Sequence, residues 1–271
     1  MVRGDFGETG EEEVKRRAHF VLALTLCACS PAEETPEPTL HARTIPSPGG
    51  DACIYPRLSR GGNGRLYLSW TQRLGRKRHA LQFAQFDGGT FSPPRTVATG
   101  DDWFVNWADF PSVTASRNGT LAAHWLQRNG KGTYSYGIRI ACSTDDGATW
   151  PSPFWLHEDR QTVEHGFATI VPDGDHFRAV WLDGRAMPKT GRMSLRTGTF
   201  AAGGPSLGET LLDPMVCECC ATDAAMVGSE LLAIYRDRLP SNVRDIALVR
   251  GADTSWSTPR TIHDDGWSNP G

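Results

Sequence analysis

The chain has 271 residues, with 28 Lys and Arg against 31 Asp and Glu for a net charge of −3. That balance supplies no basic field for nucleic acid, so no nucleic-acid partner is expected. Charged residues at 22%, with 29 glycines and 9 tryptophans, suit a turn-rich β protein.

In chain order, the first segment reads as an address. Lys15-Arg-Arg17 precedes a short apolar run from Phe20 to Leu26, then Cys27-Ala-Cys29. A basic region ahead of so short an apolar stretch fits a secretory signal and not a membrane span. An acidic leader, Asp5 to Glu13, sits badly in front of such a signal, and a start near Val14 would remove it. Leu26-Cys27-Ala28-Cys29 resembles a bacterial lipobox. The resemblance implies a lipid on Cys29, with Cys27 as the alternative. It also implies an exported protein anchored to the bacterial cell envelope, on the outer membrane or periplasmic side, with the membrane as partner through that anchor. Residues 1–29 are thus read as leader and signal, and 30–40, rich in Pro and Glu, as a tether with nothing to bury.

The remainder, 41–271, repeats with a period of about 55 residues. A Gly-led strand ending in an aromatic occurs four times: Gly64 to Trp70, Gly119 to Trp125, Gly174 to Trp181 and Gly228 to Tyr235. Before each lies another strand, at 55–58, 110–113, 167–170 and 221–224. A third follows at 81–84, 138–141, 193–196 and 246–249, and a fourth at 94–97, 153–156, 209–212 and 259–262. No stretch after residue 40 sustains a 3.6-residue period. Four short strands per unit predict an all-β propeller of four-stranded antiparallel blades, spanning roughly 50–99, 108–157, 165–213 and 219–262.

The turn closing the second unit is Ser143-Thr-Asp-Asp-Gly-Ala-Thr-Trp150. Ser143 and Asp145 suit a tight turn, Gly147 supplies a positive φ, and Trp150 folds back as an apolar plug. This stretch resembles the Asp box of the sialidase/neuraminidase superfamily. The resemblance implies a propeller fold, and a retaining glycoside hydrolysis of exo-α-sialidase type. A family site holds the substrate carboxylate with three arginines. It uses an Asp as acid/base and a Tyr, activated by a Glu, as nucleophile. Arg43-Thr-Ile45 copies the fourth-strand phrases Arg95-Thr-Val97 and Arg260-Thr-Ile262, giving five fourth strands for four sets of the other three. That count predicts a truncated six-bladed ring, with a closed four-bladed ring as the alternative.

Loops after the second strands, and loops joining blades, share one face of a propeller. Arg73, Arg128, Arg185 and Arg238 follow the strand-ending aromatics by three or four residues. With Arg236 and Arg244 nearby, they predict a cationic funnel for a glycan or another carboxylate-bearing small molecule. The alternative is that they pair locally with Asp183, Asp237 or Asp245. Arg57, in Tyr55-Pro-Arg-Leu58, echoes the family's first arginine. Asp109 is the candidate acid/base, desolvated by Trp103 and Trp107; Glu164 and Asp183 are further candidate acids. Each acid has a rival reading as a turn cap. No tyrosine is nominated as nucleophile: Tyr134 and Tyr136 belong to a strand 2–3 loop, and Tyr235 ends a strand.

Cys217-Glu-Cys-Cys220 lacks the two-to-four-residue gap of zinc sites, and no His follows at ligand spacing. Disulfides are expected in an exported chain, and neither a metal nor another cofactor is predicted. Three functional readings remain open: an enzyme on anionic glycans, a non-catalytic propeller binding glycans or protein partners, and a gene fragment.

Overall fold

The computed structural model describes residues 42–205 and 208–268; the signal-like segment, the tether and Cys29 lie outside them. Among the described residues no helix is long and apolar enough to cross a membrane.

The Gly-led phrases become the second strand of each of four antiparallel sheets. Blade one is β1 (Cys53–Arg60), β2 (Leu66–Arg73), β3 (His79–Phe86) and β4 (Arg95–Gly100), paired in that order. Blade two is β5 (Ser112–Ala115), β6 (Leu121–Arg128), β7 (Tyr136–Ser143) and the short β8 (Phe154–Trp155). Blade three is β9 (His165–Asp173), β10 (His176–Asp183), β11 (Met193–Ala201) and β13 (Thr210–Val216). There β12 (Gly204–Pro205) also pairs β11, and a one-turn helix, α1 (Met187–Thr190), sits between β10 and β11. Blade four is β14 (Asp223–Val227), β15 (Glu230–Arg236), β16 (Ile246–Ala252) and β18 (Arg260–His263), with β17 (Ser255–Trp256) also on β16.

The first strands β1, β5, β9 and β14 face one another in succession. Backbone bonds stitch these seams: Gly62 N–H donates to Ala115 O at 2.7 Å, and Arg117 N–H to Gly174 O at 2.8 Å. Apolar side chains fill the spaces between sheets. Trp181 and Phe177 of blade three pack with Ile138 and Ile140 of blade two, while Tyr67, Leu81 and Phe83 of blade one pack with Leu121 and Trp125 of blade two. This interdigitation of aromatic and branched side chains is the main stabilising contribution.

Arg43-Thr-Ile45 is not a strand, against the sequence expectation. The outer position of blade four is filled by β18 from the same blade.

The Asp box forms as its residues dictate. Asp145 accepts from Ser143 Oγ (2.6 Å), Thr149 N–H (2.9 Å) and Thr149 Oγ1 (2.6 Å), and Gly147 N–H donates to Ser143 Oγ at 2.9 Å. These bonds hold the Asp145 carboxyl down at about 2. Gly147 has φ 82°, and a Cβ there would stand 2.6 Å from Phe83 Cζ. Trp150 meets Phe83 edge-on at 5.9 Å, so the box also fastens blade two to blade one.

Candidate functional site

The strand 2–3 loops and blade-joining loops do gather on one side. Arg73, Arg76, Lys77 and His79 from blade one meet Trp103 and Arg128 of blade two around a cavity of about 720 Å³. Arg128 lies over the Phe104 ring at 5.3 Å, which presets its guanidinium. The Asp-box turn opens on a different lining, with Asn63, Arg65 and Asp146.

Asp109 lies under the floor of this cavity. Tyr55, Trp103 and Val105 belong to both the cationic cavity and the narrow crevice that holds Asp109, Thr71 and His124. Asn106 Oδ1 accepts the N–H groups of Ala108 and Asp109 at 2.7 and 2.8 Å, and this turn carries the carboxyl inward. The same turn throws Trp107 outward, 79% exposed. Trp107 therefore does not desolvate Asp109, contrary to the sequence reading; Trp103 does line its crevice.

Asp109 Oδ2 accepts the Phe167 N–H. The donor is free because β9 bulges there: the register slips opposite Trp181, and Phe167 takes φ 52°. Burial raises the Asp109 carboxyl to about 7, with the Phe167 N–H and the Arg57 charge opposing the rise and Glu164 adding to it. A carboxyl of that kind is protonated for part of the time at neutral pH and suits general acid work.

Tyr136 was missed as a partner by sequence reasoning. It begins β7, is 1% exposed, and stacks on Phe104 at 3.9 Å. Its hydroxyl donates to Glu164 Oε1. Burial and the Glu164 charge raise the phenol above its usual range, and burial raises Glu164 as well. Gly166 lets these groups converge, since a Cβ there would lie 2.6 Å from Asp109 Oδ2 and 3.0 Å from Tyr136 Cε2. His124 also lies in this region, buried, with Nδ1 sharing a 2.8 Å hydrogen bond with Ser112 Oγ; burial lowers it to about 3, helped by Arg57.

The arginines divide into separate groups. Arg73 and Arg128 share the cationic cavity. Arg185 is held by Asp183 at 2.7 Å and Glu209 at 2.5 Å, so the local-pairing alternative describes it. Asp183 is fully buried and also accepts from Trp181 Nε1 at 3.0 Å. Burial alone would raise its carboxyl, but Arg185 and His165 hold it low. It is a fixed counter-charge and an unsuitable acid. Arg238 and Arg244 both engage Glu218, at 3.5 and 3.2 Å. Arg236 donates to Arg244 O at 2.9 Å and lies against Trp267. Arg57 reaches Asp223 of blade four at 3.9 Å and, with Arg236, lines a further cavity of about 420 Å³.

No protein-family model matches the chain, and no curated protein sequence matches it. Among solved structures, the Hadza microbial sialidase Hz136 superposes with a TM-score of 0.52 at 18% identity, over 78% of this chain and 47% of that one. What is shared is the fold. A neuraminidase-like protein from A/bat/Guatemala/164/2009 gives a TM-score of 0.50 at 10% identity, over 75% of this chain and 54% of that one. The chain thus spans about half the length of each.

The five described cysteines, at 53, 142, 217, 219 and 220, are all unbonded, so the expected disulfides do not appear. Cys53 donates to Gln72 Oε1 at 3.1 Å and Cys142 is buried facing Ala201 O, while the other three lie together.

Proposed function

We propose that this chain acts on anionic glycans as a glycoside hydrolase of sialidase type, exported and held to the cell envelope by lipid on Cys29. The observation that carries the reading is Asp109: a buried carboxyl raised to about 7, one layer beneath a cavity walled by Arg73, Lys77 and Arg128. In this reading the guanidinium groups take the sugar carboxylate, Asp109 protonates the leaving oxygen, and Tyr136, set on Glu164, supports the sugar cation. The test is hydrolysis of a chromogenic sialoside by the full chain. Turnover that falls by about 10²–10⁴ in Asp109→Asn supports the reading; turnover unchanged by that substitution defeats it.

The second reading, a non-catalytic glycan-binding propeller, has its own observation. Asp109 and Tyr136 are only 6% and 1% exposed, so both are largely buried below the wide cavity. It expects saturable sialoside binding, weakened by Arg128→Ala, with no product released.

A further inference from the structure

The loop entering blade four brings three thiols together. Cys217 Sγ lies 3.7 Å from Cys219 Sγ and 3.3 Å from Cys220 Sγ, and all three sulfurs fall within 4.8 Å of one another. Thiolates sharing one zinc-class ion at about 2.3 Å stand roughly 3.8 Å apart in a tetrahedron. The cluster is already gathered to that scale.

Its surroundings are built in the same sense. Cys217 is buried just after β13 and fixed by its N–H, which donates to Arg236 O at 3.0 Å. Arg244, 4% exposed, donates through Nη1 to Cys217 Sγ at 3.2 Å. The same guanidinium meets both Glu218 oxygens, at 3.2 and 3.3 Å, and Arg238 adds a second cation on Glu218 at 3.5 Å. Glu218 is therefore occupied in orienting arginines, leaving the sulfurs as the donors that converge.

We infer that Cys217, Cys219 and Cys220 form a three-thiolate site for a thiophilic d10 cation, zinc in the first place. Soft thiolates select such ions. Three thiolates around a divalent cation leave one net negative charge, which the Arg244 guanidinium offsets from the outer shell while donating to a ligand sulfur. Three protein ligands leave a fourth position open. Cys219 is exposed, and Cys220 lines the 420 Å³ cavity that also holds Arg57 and Asp223. The open position therefore belongs to a reactive or exchangeable ion more than to a closed structural one. A disulfide between Cys217 and Cys220 is the competing use of these atoms, and it would leave Cys219 beside it as an attacking thiol.

The experiment is titration of the full chain, kept reduced under argon, with cadmium as the probe, followed through the thiolate-to-cadmium charge-transfer band and then by competition with zinc. One ion per chain is expected. Cys219→Ser and Cys220→Ser, which spare the buried Cys217, should each weaken binding by at least the roughly 10–100-fold that losing an outer-shell partner costs. Cys53→Ser should leave the titration unchanged. Arg244→Gln should weaken binding while keeping the one-to-one stoichiometry. The proposal is overturned if the reduced chain takes up no stoichiometric cadmium, or if the band survives both serine variants. It is equally overturned if peptide mapping finds a Cys217–Cys220 disulfide that persists in excess zinc.

Discussion

Tyr136 and Glu164 come from successive blades, and the Tyr136 hydroxyl donates to Glu164 Oε1 across the seam between them. A parallel bridge between the same two residues fixes the approach, and Phe104 stacked on the ring prevents it from turning. Tyr136→Phe keeps that stacking and removes only the hydroxyl. It should cost about 1–3 kcal/mol, the penalty of a buried partner left unpaired, and should abolish sialoside turnover if the pair serves catalysis. Urea unfolding together with the sialoside assay separates the two effects.

Asp109 makes stability depend on pH in the sense opposite to a salt-bridged carboxylate. Its folded value is raised from an ordinary 3.8 to about 7, so between those limits the folded chain binds more protons than the unfolded one. Stability is therefore fully present below about pH 4, falls as pH rises towards 7, and is flat above, by as much as about 4 kcal/mol for this one group. Asp109→Asn should remove that slope and be the more stable protein at pH 8. Urea midpoints at pH 5 and pH 8 for both proteins decide it; a wild-type midpoint that rises over this interval, with the variant parallel to it, would count against the buried acid.

Arg185 and Arg128 should respond in opposite ways. Arg185→Ala strands the fully buried Asp183 and nearly buried Glu209, which typically costs about 3–5 kcal/mol of stability. Arg128 lines the open cavity. Arg128→Ala should leave the thermal midpoint nearly unchanged and weaken an anionic sugar by about tenfold or more, the value of one charge-assisted hydrogen bond. Calorimetry of unfolding and of binding on both variants gives the comparison.

Gly147→Ala tests the Asp box. The backbone is in the left-handed region and the new Cβ would press on Phe83. The strain alone is about 1–3 kcal/mol, and displacement of Phe83 would loosen the Trp150 contact. A fall in the thermal midpoint is expected, whereas Gly203→Ala, with open space around its Cβ position, should leave it in place.

The propeller was legible because a blade is a local object. Each Gly-led strand pairs with the strand before it through a short turn, so Trp70, Trp125, Trp181 and Tyr235 mark the repeat in the sequence itself, and the Asp box names its own turn. The site was less legible because it forms between blades. Tyr136 meets Glu164 only where two sheets abut, at a separation fixed by packing and not by any motif. The rule that placed basic loops on one face found Arg73 and Arg128 correctly as neighbours. It could not show that Arg185 turns back onto an acid two residues away, since both arrangements have the same sequence. Trp107 failed for a similar reason: a turn capped by Asn106 decides which way each loop aromatic points. The usual spacing of zinc ligands excludes Cys217-Glu-Cys-Cys220, yet the turn there brings the three sulfurs within 4.8 Å of one another.

Phe167 has two obligations. Its N–H serves Asp109 of the loop before β5, while its carbonyl accepts the Thr222 hydroxyl at 2.7 Å from the strand entry just after Cys220. The second bond is locked by Thr169 Oγ1, which reaches back to Thr222 O at 2.8 Å. One residue in the left-handed region thus joins Asp109 to the thiol loop through two short side chains, the Asp109 carboxylate and the Thr222 hydroxyl. The Phe167 N–H that Asp109 depends on therefore sits in the same residue as the carbonyl that holds Thr222. The buried acid and the thiol loop, apart at the surface, share one residue at their base.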